Sequence, residues 1–253
     1  MQVLLTHDID KTTEKRGHIW KVRKRFSKKD LLKGFFIPRC LYWNVKEIMK
    51  LEERFGFRST FFLSTELYSL DDISKECREL AQKGWEIGYH MVYTDEMKKN
   101  NPVKFLRKKR EDLEKIAGSR IFGIRNHFLI HYGEETFSLQ KNAGFLYDST
   151  LRASEFGFKP YQPLEKFYEI PFTIMDTDLW GRWKMSEAEG WKYIKKTLKE
   201  VEKANGVFVF NAHQCSYHMR GGRLYRNLLE EIARKEYSVI KVIDLIKSLD
   251  GTK

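Results

Sequence analysis

The chain alternates short apolar runs with longer segments in which apolar residues recur every three or four positions. Runs at 3–5, 59–63, 86–88, 122–124, 145–147, 169–173, 207–210 and 238–240 predict strands. Between them, 45–54, 73–83, 102–116, 134–142, 186–204, 224–235 and 243–249 predict helices. In 186–204 the residues Trp191, Ile194, Leu198 and Val201 share one helical face, and Ser186 followed by Glu189 has the form of a capping box. Strand–helix alternation over the whole length implies parallel strands with helices outside. About seven or eight such units predict an α/β barrel rather than a doubly wound sheet, and 253 residues suit one barrel domain spanning 1–253.

In such barrels chemistry sits where strands end, and the polar residues fall there. His7, Asp8 and Asp10 follow the first run, His90 the third, Arg125 and His127 the fourth, and Asp148 the fifth. Asp176 and Asp178 follow the sixth, and His213 the seventh. Five of the seven histidines, His131 included, lie at or just past predicted strand ends. A lone histidine is more often a hydrogen-bonded core or loop residue, and an Asp-rich loop is more often solvated; here the repetition is the signal. Two ionised carboxylates two residues apart repel, so a cation is expected beside Asp8 and Asp10, one acting as ligand and the other staying free as a base. An Asp with two His is a standard set for catalytic zinc or a related divalent ion, with positions left for water and substrate. Such an ion acidifies its water and polarises a carbonyl. Asp8 would then take the water's proton, and a histidine opposite would protonate the leaving group.

Here the motifs become recognisable as a set. Thr6-His7-Asp8-Ile9-Asp10 resembles the first motif of the polysaccharide deacetylase family, the NodB-like carbohydrate esterases. Ser59-Thr60-Phe61-Phe62-Leu63 is similar to that family's second strand, and Trp85-Glu86-Ile87-Gly88-Tyr89-His90 to its metal-binding strand end. Gly123-Ile124-Arg125-Asn126-His127 resembles its Arg-containing motif, and Phe210-Asn211-Ala212-His213 its last. The stretch from Gly144 to Leu151 is similar to a segment of its cytoplasmic branches. The matches occur in family order. They imply a distorted (β/α)7-type barrel and metal-dependent removal of an N-acetyl group, or another amide, from a sugar. Carried over by position, the resemblance makes Asp8 the base, Asp10 a metal ligand, His90 the first metal histidine and His213 the general acid. Arg125 would hold Asp8, and Asp148 would brace Arg125.

One position departs from the pattern. The family usually has a second histidine four residues after the first, where this chain has Thr94, with Asp95 beside it. His127, standing where the family more often has Pro, is the expected third ligand, ahead of Asp95 and then His131. Zinc is the expected metal, with cobalt, nickel or manganese as alternatives; a degenerate barrel without metal is the alternative to an active hydrolase.

Charge then changes the picture of the substrate. The net charge is +12, and eleven basic residues from Lys11 to Arg39 against Glu14 and Asp30 carry +9 of it. This basic insertion, spanning 11–44, directly follows Asp10, so it starts at the rim of the expected site. With Phe26, Phe35 and Phe36 interleaved, a nucleic-acid-binding protein is the rival reading. It leaves the strand-end His/Asp pattern unexplained, and no nucleic-acid motif is present, so nucleic acid is not the expected partner. The expected substrate is an amino sugar or glycan precursor, phosphate-bearing or lipid-linked, with Arg23, Lys24 and Arg25 contacting it and peripheral membrane contact open to the insertion. Trp180 and Trp183, in the loop after Asp178, are the expected sugar platforms, whereas Trp191 belongs to a helix face. Three scattered cysteines form no CxxC pair, and Cys215 reads as structural. The chain opens directly on a strand-like run with no leader pattern, and no apolar run reaches the ~20 residues of a membrane span, so a cytoplasmic location is expected.

Overall fold

The computed structural model describes residues 1–99 and 101–251. Its strands are β1 (Gln2–Ile9), β2 (Thr60–Leu63), β3 (Glu86–Met91), β4 (Gly123–Asn126), β5 (Tyr147–Asp148), β6 (Tyr161–Leu164), β7 (Phe167–Glu169), β8 (Ile174–Met175), β9 (Val207–His213) and β10 (Ser238–Ile240). They form one sheet in the order β6-β7-β5-β4-β3-β2-β1-β9-β8, with β10 beside the start of β1. Every pairing is parallel except that of β6 with β7.

The sheet curls into a barrel because one continuous segment bonds in both directions. Ile170 N–H donates to Asp148 at 2.8 Å, and three residues on Thr173 N–H donates to Val209 at 2.8 Å. The ring therefore runs β1, β2, β3, β4, β5, the joined β7–β8 segment and β9, the distorted (β/α)7 architecture expected from the sequence. Strand 169–173, expected as one piece, is instead this bent closure, and the antiparallel flank β6 was not predicted.

Side-chain parity divides each strand between two apolar layers. Val3, Leu5, Phe61, Ile87, Tyr89, Phe208 and Phe210 face the helices in the larger core, whereas Leu4, Phe62, Tyr147 and Val209 fill the barrel with Val242 and Ile246 from the helix Val242–Leu249. Gly88 and Gly123 are required by that filling. A Cβ on Gly88 would lie 2.6 Å from the Phe62 ring, and one on Gly123 1.9 Å from the Tyr147 ring.

The outer helices follow their apolar periodicity. Helix Glu187–Lys203 starts with the predicted capping box, Ser186 accepting from Glu189 N–H and Glu189 accepting from Ser186 N–H. The insertion is largely helical. Arg16–Lys21, Lys28–Phe36 and Arg39–Tyr42 fold around Ile19, Phe26, Leu41 and Tyr42, a small core of their own. No helix among the described residues is long and apolar enough to cross a membrane.

Candidate active site

β1 is longer than its apolar run: it continues through Thr6, His7 and Asp8 to Ile9, buried throughout that stretch. Parity then separates neighbours. His7 turns outward, where its Nε2 lies 2.7 Å from Glu52 Oε1 and its Nδ1 lies 3.2 Å from the Ala212 carbonyl. Thr6 and Asp8 turn into the barrel mouth. The same parity on β3, β4 and β9 points His90, Arg125 and His213 at the same spot. The parallel register helps, since Asp8 pairs across to His213 and His90 to Arg125.

The inward residues hold one another. Arg125 is fully buried and donates from Nη1 to Asp8 Oδ1 at 2.9 Å and to Thr6 Oγ1 at 3.0 Å. Asn211 donates to Asp8 Oδ2 at 2.7 Å. Burial by itself would raise the Asp8 carboxyl; the charge of Arg125, followed by His90 and His213, outweighs it and keeps Asp8 well below the usual carboxylate range. The guanidinium is in turn positioned by Ser149, through its carbonyl at 2.6 Å and its hydroxyl at 2.8 Å. The brace expected of Asp148 is thus supplied by the next residue. Asp148 points the other way, accepting from Thr150 and lying 3.5 Å from His131 Nε2.

Asp10, His90 and His127 bring one ligand atom each within 4.8 Å of the others. His90 Nε2 lies 3.2 Å and His127 Nδ1 3.6 Å from Asp10 Oδ1, and the two ring nitrogens are 3.1 Å apart. His90 Nδ1 lies 3.1 Å from the Arg125 carbonyl, which only accepts, so Nδ1 is committed as a donor there and Nε2 is the nitrogen turned to the cluster. Desolvation, then the neighbouring His90, lowers His127 and favours its neutral, ligating form. Asp10 is lowered as well, burial being outweighed by the imidazoles of His90 and His213 beside it. Asp10 Oδ1 is buried and has no hydrogen-bond partner among the described residues. An orphan carboxylate oxygen facing two imidazole nitrogens fits a divalent cation of the zinc type. The two lower-ranked ligands lie elsewhere: Asp95 is exposed at the start of helix Asp95–Lys99, and His131 sits against Asp148.

His213 completes the ring. Its Nδ1 is 2.6 Å from Asp176 Oδ1, and Asp176 Oδ2 also accepts from the His213 backbone N–H at 3.0 Å. That leaves Nε2 turned to the mouth, 3.7 Å from Asp10 Oδ2 and 4.0 Å from Asp8 Oδ2. Burial opposes charge here, but Asp176, with Asp10 and Asp8 behind it, pushes His213 up to about 10.

The rim is partly as expected. A cleft of about 400 Å³ runs between the insertion and the barrel, lined by Lys11, Lys24, Arg25, Tyr42 and Trp180. Arg23 turns away and covers Trp20 with its guanidinium 4.6 Å from the ring. Trp180 rides on a π-helical turn, Asp178–Arg182, whereas Trp183 leaves the cleft to pack on Tyr193 at 5.1 Å. A larger cleft of about 880 Å³ lies along helix Pro102–Ala117 and is bordered by Lys104, Arg107 and Asp112, away from the clustered histidines. Sequence reasoning assigned no role to Asn211, Ser149 or Asp176, although Asp176 fits the strand-end rule. It also missed Phe128, 81% exposed, its ring 3.9 Å from that of His127 and tilted 44° to it, with φ of 58°. A non-glycine residue in the left-handed region is a local cost, met here in the turn that carries His127 out of β4.

No family model and no curated protein matches the chain. Solved structures do. A candidate polysaccharide deacetylase from Mycobacterium smegmatis is 19% identical, with 99% of this chain and 90% of that one covered and a TM-score of 0.72. The CE4 domain of a multidomain xylanase from the hindgut metagenome of Trinervitermes trinervoides is 11% identical over 100% and 92%, with a TM-score of 0.56. A CE4-family pseudoenzyme from Bacillus anthracis is 12% identical over 97% of this chain and 65% of its own, with a TM-score of 0.53. At these identities the likeness is one of architecture: the chain has the distorted-barrel fold of the polysaccharide deacetylases.

Proposed function

We propose that this protein is a metal-dependent hydrolase that removes an N-acetyl group from an amino sugar or glycan precursor. The observation that carries the reading is the juxtaposition of the Asp10, His90 and His127 donor set with two differently held groups, Asp8 and His213. Asp10, His90 and His127 would hold the ion, which when bound polarises the amide carbonyl and acidifies water.

The chain's own groups do the rest. Asp8, fixed by Arg125 and Asn211, takes a proton from the attacking water. A C–O bond forms at the acetyl carbon as the C–N bond breaks. His213, steered by Asp176, delivers a proton from Nε2 to the departing nitrogen, so the products are acetate and a free amine. Trp180 and Phe128 offer faces for the sugar ring. Lys24 and Arg25, in the cleft beside the mouth, favour a substrate bearing phosphate, nucleotide- or lipid-linked.

The test is acetate release by zinc-loaded protein from phosphate-bearing N-acetylhexosamines, with the Asp8→Asn variant as control. Release by the native chain and its loss in the variant is expected. A zinc-loaded native chain that releases no acetate from any nucleotide-linked or lipid-linked member overturns the reading.

A further inference from the structure

The insertion has two faces of opposite character. Its inner face is the small core of Ile19, Phe26, Leu41 and Tyr42. Its outer face leaves Trp20 68%, Leu32 66%, Phe35 60%, Phe36 69% and Ile37 63% exposed. These residues form one patch. On helix Lys28–Phe36, Leu32, Phe35 and Phe36 follow the i, i+3, i+4 spacing of a single stripe, and Ile37 extends it. The Phe35 and Phe36 rings meet edge to face at 5.6 Å. Arg16 lies over Phe35 at 5.7 Å, and Trp20 is one turn along the same helix from Arg16. The stripe therefore continues across both helices.

Cations rim this patch. Arg16, Lys21, Arg23, Lys24, Lys28, Lys29 and Lys33 are all exposed. Asp30, an acid within the same segment, is engaged by the Ser27 cap and lies 3.3 Å from His218. Contiguous exposed apolar surface of this kind marks a docking site. The occupant follows from charge and shape. A second copy would set one strongly basic face against another. A nucleic acid would use the arginines and the rings, but it has no use for Leu32 and Ile37. An anionic lipid surface uses both features, apolar side chains below the headgroups and Lys and Arg at the phosphates.

We propose that the insertion docks the protein on an anionic lipid surface through Trp20, Leu32, Phe35, Phe36 and Ile37. The cleft lined by Lys24, Arg25 and Trp180 then opens beside that surface. The proposal stands on the insertion alone and holds whether or not the barrel hydrolyses an amide.

The full chain is tested by co-sedimentation with phosphatidylglycerol vesicles and with phosphatidylcholine vesicles. Binding to the anionic vesicles at least ~10-fold tighter is expected, weakening as salt rises. The Phe35→Ser/Phe36→Ser double variant, altered only at exposed positions, should keep its circular dichroism and lose at least ~10-fold of that binding. A blue shift of tryptophan emission on adding anionic vesicles should vanish in Trp20→Phe. The proposal is overturned if the native chain binds neither vesicle, or if the double variant binds phosphatidylglycerol as the native chain does. It is equally overturned if the same substitutions abolish tight binding to a random oligonucleotide, or convert a native dimer to a monomer.

Discussion

Two buried clusters share strand β1 and much the same chemistry, yet they do opposite things. On the outside of the barrel, His7 meets Glu52, whose carboxylate is saturated: Oε1 accepts from Tyr225 at 2.6 Å, and Oε2 accepts from Ser59 and Trp85 at 2.7 Å each. On the inside, Asp8, Asp10, His90, His127 and His213 converge, and there Asp10 Oδ1 has no hydrogen-bond partner among the described residues. A closed network spends every polar atom on the fold. An open one keeps ligand atoms facing the mouth. Residue type does not separate the two clusters; saturation and side-chain parity do.

The largest test of that contrast is Asp8→Asn. Removing a general base costs about 10³-fold in kcat, while metal content measured on the same protein should stay unchanged. Parallel loss of metal would place Asp8 among the ligands and break the division of labour. Next, His127→Ala should weaken zinc affinity by about 100-fold. Unchanged zinc affinity by competition with a chelator would remove His127 from the donor set and return the third ligand to Asp95 or His131. On the closed side, Glu52→Gln should lower unfolding free energy by about 2 kcal/mol, because a saturated acceptor pair is replaced by an amide that must strand a buried donor. Zinc stoichiometry and acetate release per folded molecule should hold. A fall in kcat without a fall in stability would show that the two clusters are coupled through β1.

The barrel and most of its mouth were legible in the sequence because strand parity and strand-end placement are local properties. Asp8, Asp10, His90, Arg125, His127 and His213 could each be picked out by position after an apolar run. What was not legible depends on partners far along the chain. Nothing in the run 3–5 says that β1 extends to Ile9 and so turns His7 outward; that follows from pairing Thr6–Ile9 with Thr60–Leu63. Likewise Arg125 is held by Ser149 rather than Asp148, a one-residue difference fixed by where β5 ends. The bent closure through 170–173 is a consequence of closing the ring, which no local pattern encodes, and no local pattern announces the positive φ of Phe128.

The insertion offers the smallest and most selective test, since its charges differ from those of the mouth in being almost all exposed. Lys24 and Arg25 line the cleft beside Trp180, whereas Arg23 is committed to Trp20, donating to its carbonyl at 2.9 Å. A Lys24→Ala/Arg25→Ala variant should therefore raise KM for a phosphate-bearing N-acetylhexosamine by about 10-fold, with kcat nearly unchanged. Arg23→Ala should leave KM where it was. The distinction matters because all three were grouped by sequence, and net charge alone predicts equal effects. If each substitution raised KM alike and added salt erased the difference, the insertion would act as a diffuse positive field. A loss confined to Lys24 and Arg25 instead assigns the phosphate to the cleft, beside the mouth where Asp8 and His213 face each other.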